Sequence, residues 1–176
     1  MKKLILVAVL AIISVGVKAQ EKVNWLTFEE ALEKNKENPK PILVDLYTDW
    51  CGWCKKMDKT TYKNNVIVKF INENYYAVKM DGEGKDDINF NDKKFTFISP
   101  PPETRGKGYH ELAYAIMKGN MSYPSTAFFD LEERLIQTVP GYLAEKKFEM
   151  ILAFFTKDNY KTKKWSEFSK AFKSSL

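Results

Sequence analysis

Two short apolar runs with helical segments between them constrain the fold of this chain more than any other feature. Residues 42–47 (ILVDLY) and 75–81 (YYAVKMD) are short and rich in β-branched and aromatic residues, as strands are. The intervening segments CKKMDKTTYKN and NNVIVKFINEN have the pattern of helices. A strand, a helical connection and a second strand predict a parallel βαβ unit, and therefore an α/β fold.

Further elements are predicted on both sides of this unit. Thr27 and Glu30 have the spacing of a capping box and predict the start of a helix. Residues 82–107 interrupt the pattern with a predicted β-hairpin around residues 91–94 and a Pro- and Gly-rich loop; we call this segment the insertion. A short helix, two strands in a hairpin, a closing helix and an extra helix in the extension at 157–176 follow. The apolar residues placed on the inner faces of the helices are Trp25, Phe28, Ala31, Leu32, Leu112, Ala115, Ile116, Trp165, Phe168 and Phe172.

The N-terminus has the layout of a secretory signal peptide. Lysines follow Met1, the stretch from Leu4 to Val17 is almost entirely apolar, and the small residue Ala19 stands at the predicted cleavage position. The apolar stretch is 14 residues long, whereas a membrane-spanning helix needs roughly 20. We therefore expect residues 1–19 to be removed and one domain, residues 20–176, to be exported to the periplasm or secreted without a stable membrane anchor. A retained anchor is the alternative.

The charge of the chain argues against nucleic acid as a partner. The formal net charge is +5, but Lys2, Lys3 and Lys18 lie in the predicted signal peptide, which leaves 25 basic against 23 acidic residues, or +2. The chain has two arginines and no arginine-rich cluster of the kind that binds a phosphate backbone.

The chain has two cysteines, Cys51 and Cys54, in a C-x-x-C motif. A disulfide between them would close a loop of four residues, which removes little entropy from the unfolded chain, so a structural staple is a weak explanation. A structural zinc site needs four ligands, and the chain offers two thiols and one histidine, His110, unless a carboxylate completes the set. A redox-active dithiol remains as the best explanation, and we expect neither a metal nor another cofactor.

The segment VDLYTDWCGWCK resembles the active-site segment of thioredoxins. It is closer still to exported thioredoxin-like proteins and to the C-terminal domain of the bacterial transmembrane thiol-reductant carrier, and SYPSTAFFD with TVPGY resembles the second half of the family. The resemblance covers roughly residues 25–155 and implies a thioredoxin fold, a central mixed sheet flanked by helices. Two features depart from plain thioredoxin: Gly52-Trp53 stands between the cysteines in place of Gly-Pro, and the insertion is extra.

Thiol–disulfide exchange needs one thiolate that attacks and a second thiol that resolves the mixed disulfide. Cys51 stands where a strand ends and a helix begins, so free N–H groups and the helix dipole favour its thiolate, and we expect it to attack. Cys54, one turn further and more shielded, would resolve. Asp45 in the preceding strand is expected to be a buried carboxyl with a raised pKa that exchanges a proton with Cys54. A strand-end acid that reaches solvent is the alternative.

Aromatic residues flank the motif. Trp50, expected to be partly packed, and Trp53, expected to be exposed, would form an apolar rim for a substrate. The resemblance adds Tyr123 and Pro124 to the substrate-binding residues, since in this family a cis-proline faces the cysteine pair. Asp49 is predicted to cap the helix that follows. Lys55 and Lys56 are predicted to be solvated surface charges, with help to the Cys51 thiolate as the alternative. His110, at the start of a later helix, is predicted to be structural or solvated rather than a ligand.

These residues predict an exported oxidoreductase that exchanges the Cys51–Cys54 dithiol with disulfide- or dithiol-containing protein substrates. The resemblance to the reductant-carrier domain favours the role of reductant, with a thiol protein or a membrane thiol carrier as the redox partner. The alternative is a thioredoxin-fold binding module, which would hold a client or partner through the insertion with little redox turnover.

Overall fold

A five-stranded mixed sheet with helices on both faces forms the centre of the computed structural model. The structure describes residues 21–103, 106–156 and 159–176, so the predicted signal peptide at 1–19 lies outside the described residues. A 3-10 turn, Thr61–Lys63, lies between the second and third helices. In chain order the other elements are β1 (Trp25–Leu26), α1 (Phe28–Glu37), β2 (Ile42–Tyr47), α2 (Gly52–Lys59), α3 (Asn65–Asn74), β3 (Tyr76–Asp81), β4 (Ile88–Phe90), β5 (Lys93–Phe95), β6 (Phe97–Ile98), β7 (Tyr109–His110), α4 (Glu111–Ile116), β8 (Ser125–Phe129), β9 (Leu135–Pro140), α5 (Glu145–Phe155), α6 (Asn159–Thr162) and α7 (Trp165–Ala171).

The central sheet has the strand order β1-β3-β2-β8-β9. Strands β1 and β2 each pair in parallel with β3, whereas β8 pairs antiparallel with β2 and with β9. Helices α2 and α3 connect the parallel strands β2 and β3, which confirms the predicted βαβ unit. The predicted hairpin of β8 and β9 is also present, so the sheet is mixed, as expected.

Strand β2 is buried on both faces of the sheet. Successive residues of a strand point to opposite faces, and Leu43 accordingly packs with Phe128 on the side of α3 and α5. Val44 packs with Phe129 on the side of α1 and α4. By the same alternation, Asp45 lies on the face of Leu43, so the strand carries one carboxyl into the protein interior.

Thr27 caps α1 as predicted. Its side chain accepts a hydrogen bond from the backbone N–H of Glu30 at 3.1 Å, and the Glu30 carboxylate accepts one from the backbone N–H of Thr27 at 2.8 Å. Trp25 does not belong to this helix as the spacing suggested, because it lies in β1 and pairs with β3. A strand of two residues is too short to show a periodicity of its own.

The predicted hairpin of the insertion is formed by β4 and β5. Its turn residues, Asn91 and Asp92, have φ angles of 50° and 58°, as a two-residue turn matching the twist of the strands requires. The Phe90 ring lies 5.1 Å from the ring of Phe28 and 5.9 Å from that of Phe129, measured between centroids. The hairpin therefore packs against the core of the domain.

The helix after the insertion buries a different set of residues from the predicted one. Leu112, Ala113 and Ile116 of α4 are buried, whereas Ala115 is exposed. Both sets lie on one face of an α-helix, so the periodicity of the sequence alone could not choose between them. Packing against the sheet decides which face turns inward.

The C-terminal segment packs against α5. The rings of Trp165 and Phe168 each lie 5.2 Å from the ring of Phe154. Glu149, buried in α5, accepts a hydrogen bond from the backbone N–H of Ser175 at 2.9 Å. Within the ranges that the structure describes, no helix has the length and apolar character needed to cross a membrane.

Candidate active site

Cys51 and Cys54 lie where the chain leaves β2 and enters α2. Cys51 is the N-cap residue of α2, and its Sγ accepts a hydrogen bond from the backbone N–H of Cys54 at 3.0 Å. The two residues form a disulfide, with 5.3 Å between their Cα atoms. In the dithiol state the same N–H group and the helix dipole favour a thiolate on Cys51. In the dithiol form this geometry therefore favours ionisation of Cys51 over ionisation of Cys54.

The disulfide is covered, while the tryptophans beside it are exposed. Cys51 is 4% exposed and Cys54 3%, so the expected difference in shielding is absent in the disulfide form. Trp53 is 57% exposed, as predicted, and Trp50 is 55% exposed. Nearly half of the Trp50 surface is covered by the contacts described below, so Trp50 is partly packed, as predicted, although it is about as exposed as Trp53.

Asp45 lies in the core, with 2% of its surface exposed, which excludes the alternative of a carboxyl that reaches solvent. Its Oδ2 accepts a hydrogen bond from Lys79 Nζ at 2.9 Å, and its Oδ1 has no hydrogen-bond partner among the described residues. Burial raises the pKa of the Asp45 carboxyl above its ordinary value of 3.8, and the Lys79 ammonium opposes that rise. The raised pKa makes Asp45 a stronger base than a solvated aspartate.

Lys79 is a member of this site that the sequence pattern did not reveal. It stands opposite Asp45 in the β2–β3 pair and also binds the Asp58 carboxylate on α2. Burial acts to lower the pKa of Lys79, but the two carboxylates raise it above the ordinary value of 10.5. The sequence signal that could have identified Lys79 was a pair of opposite charges, one in each of two adjacent apolar strands.

Three aromatic rings lie within cation–π distance of Lys79 Nζ, namely those of Trp25 (5.0 Å), Tyr47 (5.0 Å) and Tyr62 (5.5 Å).

Tyr62 is the other ionisable group buried beside Asp45. Its ring is 5% exposed, and its hydroxyl and that of Thr126 have no hydrogen-bond partner within the described part of the chain. Burial, and after it the charge of Asp45, raises the pKa of Tyr62 well above its ordinary value of 10.0. Tyr62 and Lys79 both keep their protons at neutral pH. Asp45 is therefore the group of this cluster that is suited to exchange a proton.

Tyr123 and Pro124 border the site at the start of β8, and the peptide bond between them is cis. The ring of Tyr123 meets the ring of Trp50 edge to face, with 6.0 Å between centroids. The indole N–H of Trp50 donates a hydrogen bond to Glu83 Oε1 at 2.8 Å, and Lys107 Nζ lies 4.9 Å from the centroid of the same ring system. The insertion therefore contributes Glu83 and Lys107 to the edge of the site.

Gly82 makes room for this arrangement, because a Cβ at position 82 would lie 1.9 Å from the hydroxyl oxygen of Tyr123. We expect Gly82→Ala to lower the free energy of unfolding by about 1–3 kcal/mol, since Tyr123 or the end of β3 must move. Gly52→Ala is the matched control, because a Cβ there meets no atom within 4 Å. Chemical denaturation of both variants measures the difference, and equal losses of stability would contradict the prediction.

Asp49 differs from its prediction, whereas His110 agrees with its prediction. Asp49 does not cap α2, because Cys51 occupies the N-cap position and uses its sulfur as the acceptor. His110 is buried and caps α4, where its Nδ1 accepts a hydrogen bond from the backbone N–H of Leu112 at 3.1 Å. Its Nε2 lies 3.0 Å from the carbonyl oxygen of Asp86 and donates to it in this tautomer. His110 is thus structural, as predicted.

Trp53 belongs to a second aromatic group beside the disulfide. Its ring lies 5.5 Å from that of Tyr142, and Lys56 Nζ lies 4.7 Å from the Trp53 centroid and 5.2 Å from the Tyr142 centroid. Lys56 is exposed, as predicted, but its ammonium is placed over two rings, which the sequence pattern did not indicate. Tyr142 follows β9 and is far from α2 in sequence, so no local sequence pattern relates Tyr142 to Trp53 or Lys56.

The assembled groups support thiol chemistry. They are a thiol at a helix N-cap, a second thiol one turn later and a buried carboxyl that can exchange a proton. Within the ranges that the structure covers, no group of three or more His, Cys, Asp or Glu residues is arranged to hold a metal ion.

Comparison with known proteins points to the same segment of the chain. Residues 15–100 match the family model described as Thioredox_DsbH: Protein of unknown function, DUF255. The disulfide bond reductase DsbH of Chlamydia pneumoniae is 28% identical over 115 residues, which make up 65% of this chain and 60% of that protein. The thiol:disulfide interchange protein DsbD of Campylobacter jejuni is 31% identical over 75 residues, 42% of this chain and 13% of that protein.

The structural comparison extends over more of the chain. A thioredoxin-fold protein from Helicobacter pylori superimposes with a TM-score of 0.56 at 18% identity, covering 76% of this chain and 80% of that one. Two curated relatives are 33% and 32% identical to this chain, and the matched residues cover 10% and 9% of their own lengths. The chain therefore spans about a tenth of each of these relatives. The family model thus covers the segment that contains both cysteines, and the structural relative shares the fold.

Proposed function

We propose that this chain, which has the thioredoxin fold, exchanges the Cys51–Cys54 dithiol with disulfides of protein substrates and acts as a reductant. The observation that carries the proposal is the position of Cys51, whose Sγ caps α2, accepts the Cys54 N–H at 3.0 Å and is disulfide-bonded to Cys54. A thiol in this position has the stabilised anion that attack on a disulfide requires.

The first step forms a mixed disulfide. The Cys51 thiolate attacks one sulfur of the substrate disulfide, and a new S–S bond forms between Cys51 and the substrate. The substrate S–S bond breaks, and the other substrate sulfur leaves as a thiolate that takes a proton from solvent.

The second step releases the reduced substrate. Cys54 transfers its proton to the Asp45 carboxylate and attacks Cys51 Sγ, so that the mixed disulfide breaks and the Cys51–Cys54 disulfide forms. The substrate sulfur leaves as a thiolate that takes a proton from solvent, and Asp45 returns its proton to solvent. The substrate has then gained two electrons and two protons. Asp45 is supported in this role by its burial and by Lys79, which binds both Asp45 and Asp58, a residue one helical turn beyond Cys54. A dithiol protein or membrane thiol carrier would reduce the Cys51–Cys54 disulfide again.

The substrate would lie against the exposed aromatic rim. Trp50 and Trp53 are both more than half exposed next to the covered disulfide, and Tyr123 with Pro124 borders Trp50. Exposed indole rings beside a reactive group offer a large apolar contact area to a flexible polypeptide. We propose these four residues as the substrate-contact surface.

The direction of electron flow and the compartment are supported by separate observations. DsbH is named a disulfide bond reductase, which supports the reductant role proposed here. The sequence of residues 1–19, with its 14-residue apolar stretch, supports export with removal of this segment. N-terminal sequencing of the protein purified from its native cell tests the export proposal, and membrane-bound protein that retains Met1 would contradict it.

Reduction of insulin by residues 20–176 in the presence of dithiothreitol tests the proposed activity. We expect precipitation of the insulin B chain well ahead of a reaction with dithiothreitol alone. A variant with both Cys51→Ser and Cys54→Ser is the control and should not differ from dithiothreitol alone. Equal rates for the wild type and this control would favour the binding module as the function.

A further inference from the structure

Lys56 is a cation two residues after Cys54 whose ammonium lies over aromatic rings. Its Nζ lies 4.7 Å from the centroid of the Trp53 ring and 5.2 Å from that of Tyr142. Among the residues that the structure describes, no carboxylate forms an ion pair with Lys56. The ring faces attract the ammonium without cancelling its charge, so Lys56 keeps a positive charge beside Trp53.

The Tyr142 ring under Lys56 is held in place by polar contacts. The Thr60 hydroxyl donates a hydrogen bond to the carbonyl oxygen of Lys56 at 2.9 Å, and it lies 3.0 Å from Tyr142 Oη. Since Thr60 has one hydroxyl proton, Tyr142 is the donor in the second bond. The backbone N–H of Gly141 donates to the carbonyl oxygen of Pro124 at 2.8 Å. Tyr142 is therefore tied both to α2 and to the proline segment of the site.

On the Trp50 side of the disulfide a lysine also lies over a tryptophan ring, but there the lysine has a carboxylate as a partner. There Lys107 Nζ lies 4.9 Å from the Trp50 centroid, but it also lies 3.8 Å from Glu83 Oε2. Glu83 in turn accepts the indole N–H of Trp50. The cation on the Trp50 side thus has an acidic partner within the protein, whereas the described residues provide none for the cation on the Trp53 side, which can meet an external partner.

We infer that Lys56, placed over Trp53 and Tyr142, is a specificity-determining residue that selects disulfide-containing polypeptides with an acidic side chain close to the attacked cysteine. The inference rests on the proposed function. The two rings provide an apolar contact for the substrate chain, and the ammonium provides the countercharge for a carboxylate. A substrate with a basic side chain in the same place meets repulsion.

Three peptides that differ in one residue test the inference. Each carries an intramolecular disulfide flanked by Glu, Gln or Lys, and reduction by the reduced protein is followed with dithiothreitol as the electron source. For the wild type we expect kcat/KM to be about two- to fivefold higher for the Glu peptide than for the Gln peptide. The preference should disappear at high salt, which screens exposed charges.

Two variants at position 56 and one control keep the test decisive. Lys56→Met retains a long apolar side chain and should abolish the preference, and Lys56→Glu should reverse it in favour of the Lys peptide. Lys170→Glu makes the same change in net charge on α7, outside the site, and should leave the preference for Glu unchanged. Comparing the three peptides within each variant removes any general effect of a substitution on the rate.

The outcomes separate the inference from the proposed function. Equal kcat/KM values of the wild type for all three peptides, or an unchanged preference in Lys56→Met, would overturn the role of Lys56 alone. Failure of the wild type to reduce any peptide, together with failure on the small uncharged substrate hydroxyethyl disulfide, would overturn the proposed function and the inference with it.

Discussion

Cys54→Ser should accumulate covalent mixed disulfides with client proteins, whereas Cys51→Ser should accumulate few. In Cys54→Ser the attacking thiolate is retained and the group that releases the substrate is gone, so the reaction stops after its first step. In Cys51→Ser the remaining thiol lies inside α2, and it lacks the N-cap position where the Cys51 sulfur accepts a backbone N–H. Both variants should lose insulin reduction.

This asymmetry depends on the polarisation of Cys51 and not on its exposure. The two cysteines are covered almost equally in the disulfide form, at 4% and 3% exposed, so access alone predicts no difference between the variants. Non-reducing gels of each variant, recovered from the native compartment, measure the adducts, with a reduced lane to show that they are disulfides. Equal trapping by both variants would break the assignment of roles, and trapping by neither would favour a binding module.

Asp45→Asn should slow resolution of the mixed disulfide by about 10²–10⁴-fold, with a smaller effect on its formation. Resolution requires Cys54 to lose a proton, and an amide cannot accept it. Rapid-quench measurements of the mixed disulfide with a single substrate equivalent separate the two steps. Unchanged turnover of the variant between about pH 6 and pH 9 would show that Asp45 has no part in proton transfer.

The same substitution should increase stability at neutral pH. Folding raises the pKa of Asp45 above 3.8, so the folded protein holds this proton more tightly than the unfolded chain. The wild type therefore loses stability as the pH rises from about 3.8 through the folded pKa, and the loss is complete above it. The amide of the Asp45→Asn variant does not ionise and escapes this loss, so the two proteins should converge in acid and separate as the pH rises.

Asp58→Asn is the matched control, because it makes the same chemical change on the other carboxylate bound to Lys79. The Asp58 side chain is 40% exposed, whereas that of Asp45 is 3% exposed. We therefore expect a smaller change in stability and in the resolution rate. Denaturant unfolding over a pH series measures the stabilities, and an effect of Asp58→Asn as large as that of Asp45→Asn would contradict the special role of the buried group.

The elements that the sequence predicted correctly are those with local signals. The capping box of Thr27, the apolar run of β2 and the turn at Asn91 each depend on residues a few positions apart, and each is present. The resemblance implied the thioredoxin fold, which the comparisons confirm. Trp25 was misplaced because pairing with β3, at long range, decides its conformation.

The sequence predicted the reactive groups of the candidate site, but only some of the residues that surround them. Cys51, Cys54 and Asp45 were found from the motif and from an acid in an apolar strand. Lys79 was missed because it meets Asp45 only through strand pairing, and Tyr142 because it approaches Trp53 from another part of the chain. Such contacts depend on which helices and strands pack next to each other. This arrangement cannot be read from a pattern of residues that are close together in one sequence.

The insertion leaves the end of β3 at Gly82, and shortly after the insertion ends the chain returns to that residue at His110. The backbone N–H of His110 donates a hydrogen bond to the carbonyl oxygen of Gly82 at 2.8 Å, so the polypeptide between them forms a closed loop that starts and ends at the edge of the active site. Closing a longer loop costs only about 0.6 kcal/mol for each doubling of its length. Away from Ile88, Phe90 and Phe95, which pack against the core, this loop is therefore a place where an added recognition sequence can be displayed beside the disulfide while the strand order of the domain is kept.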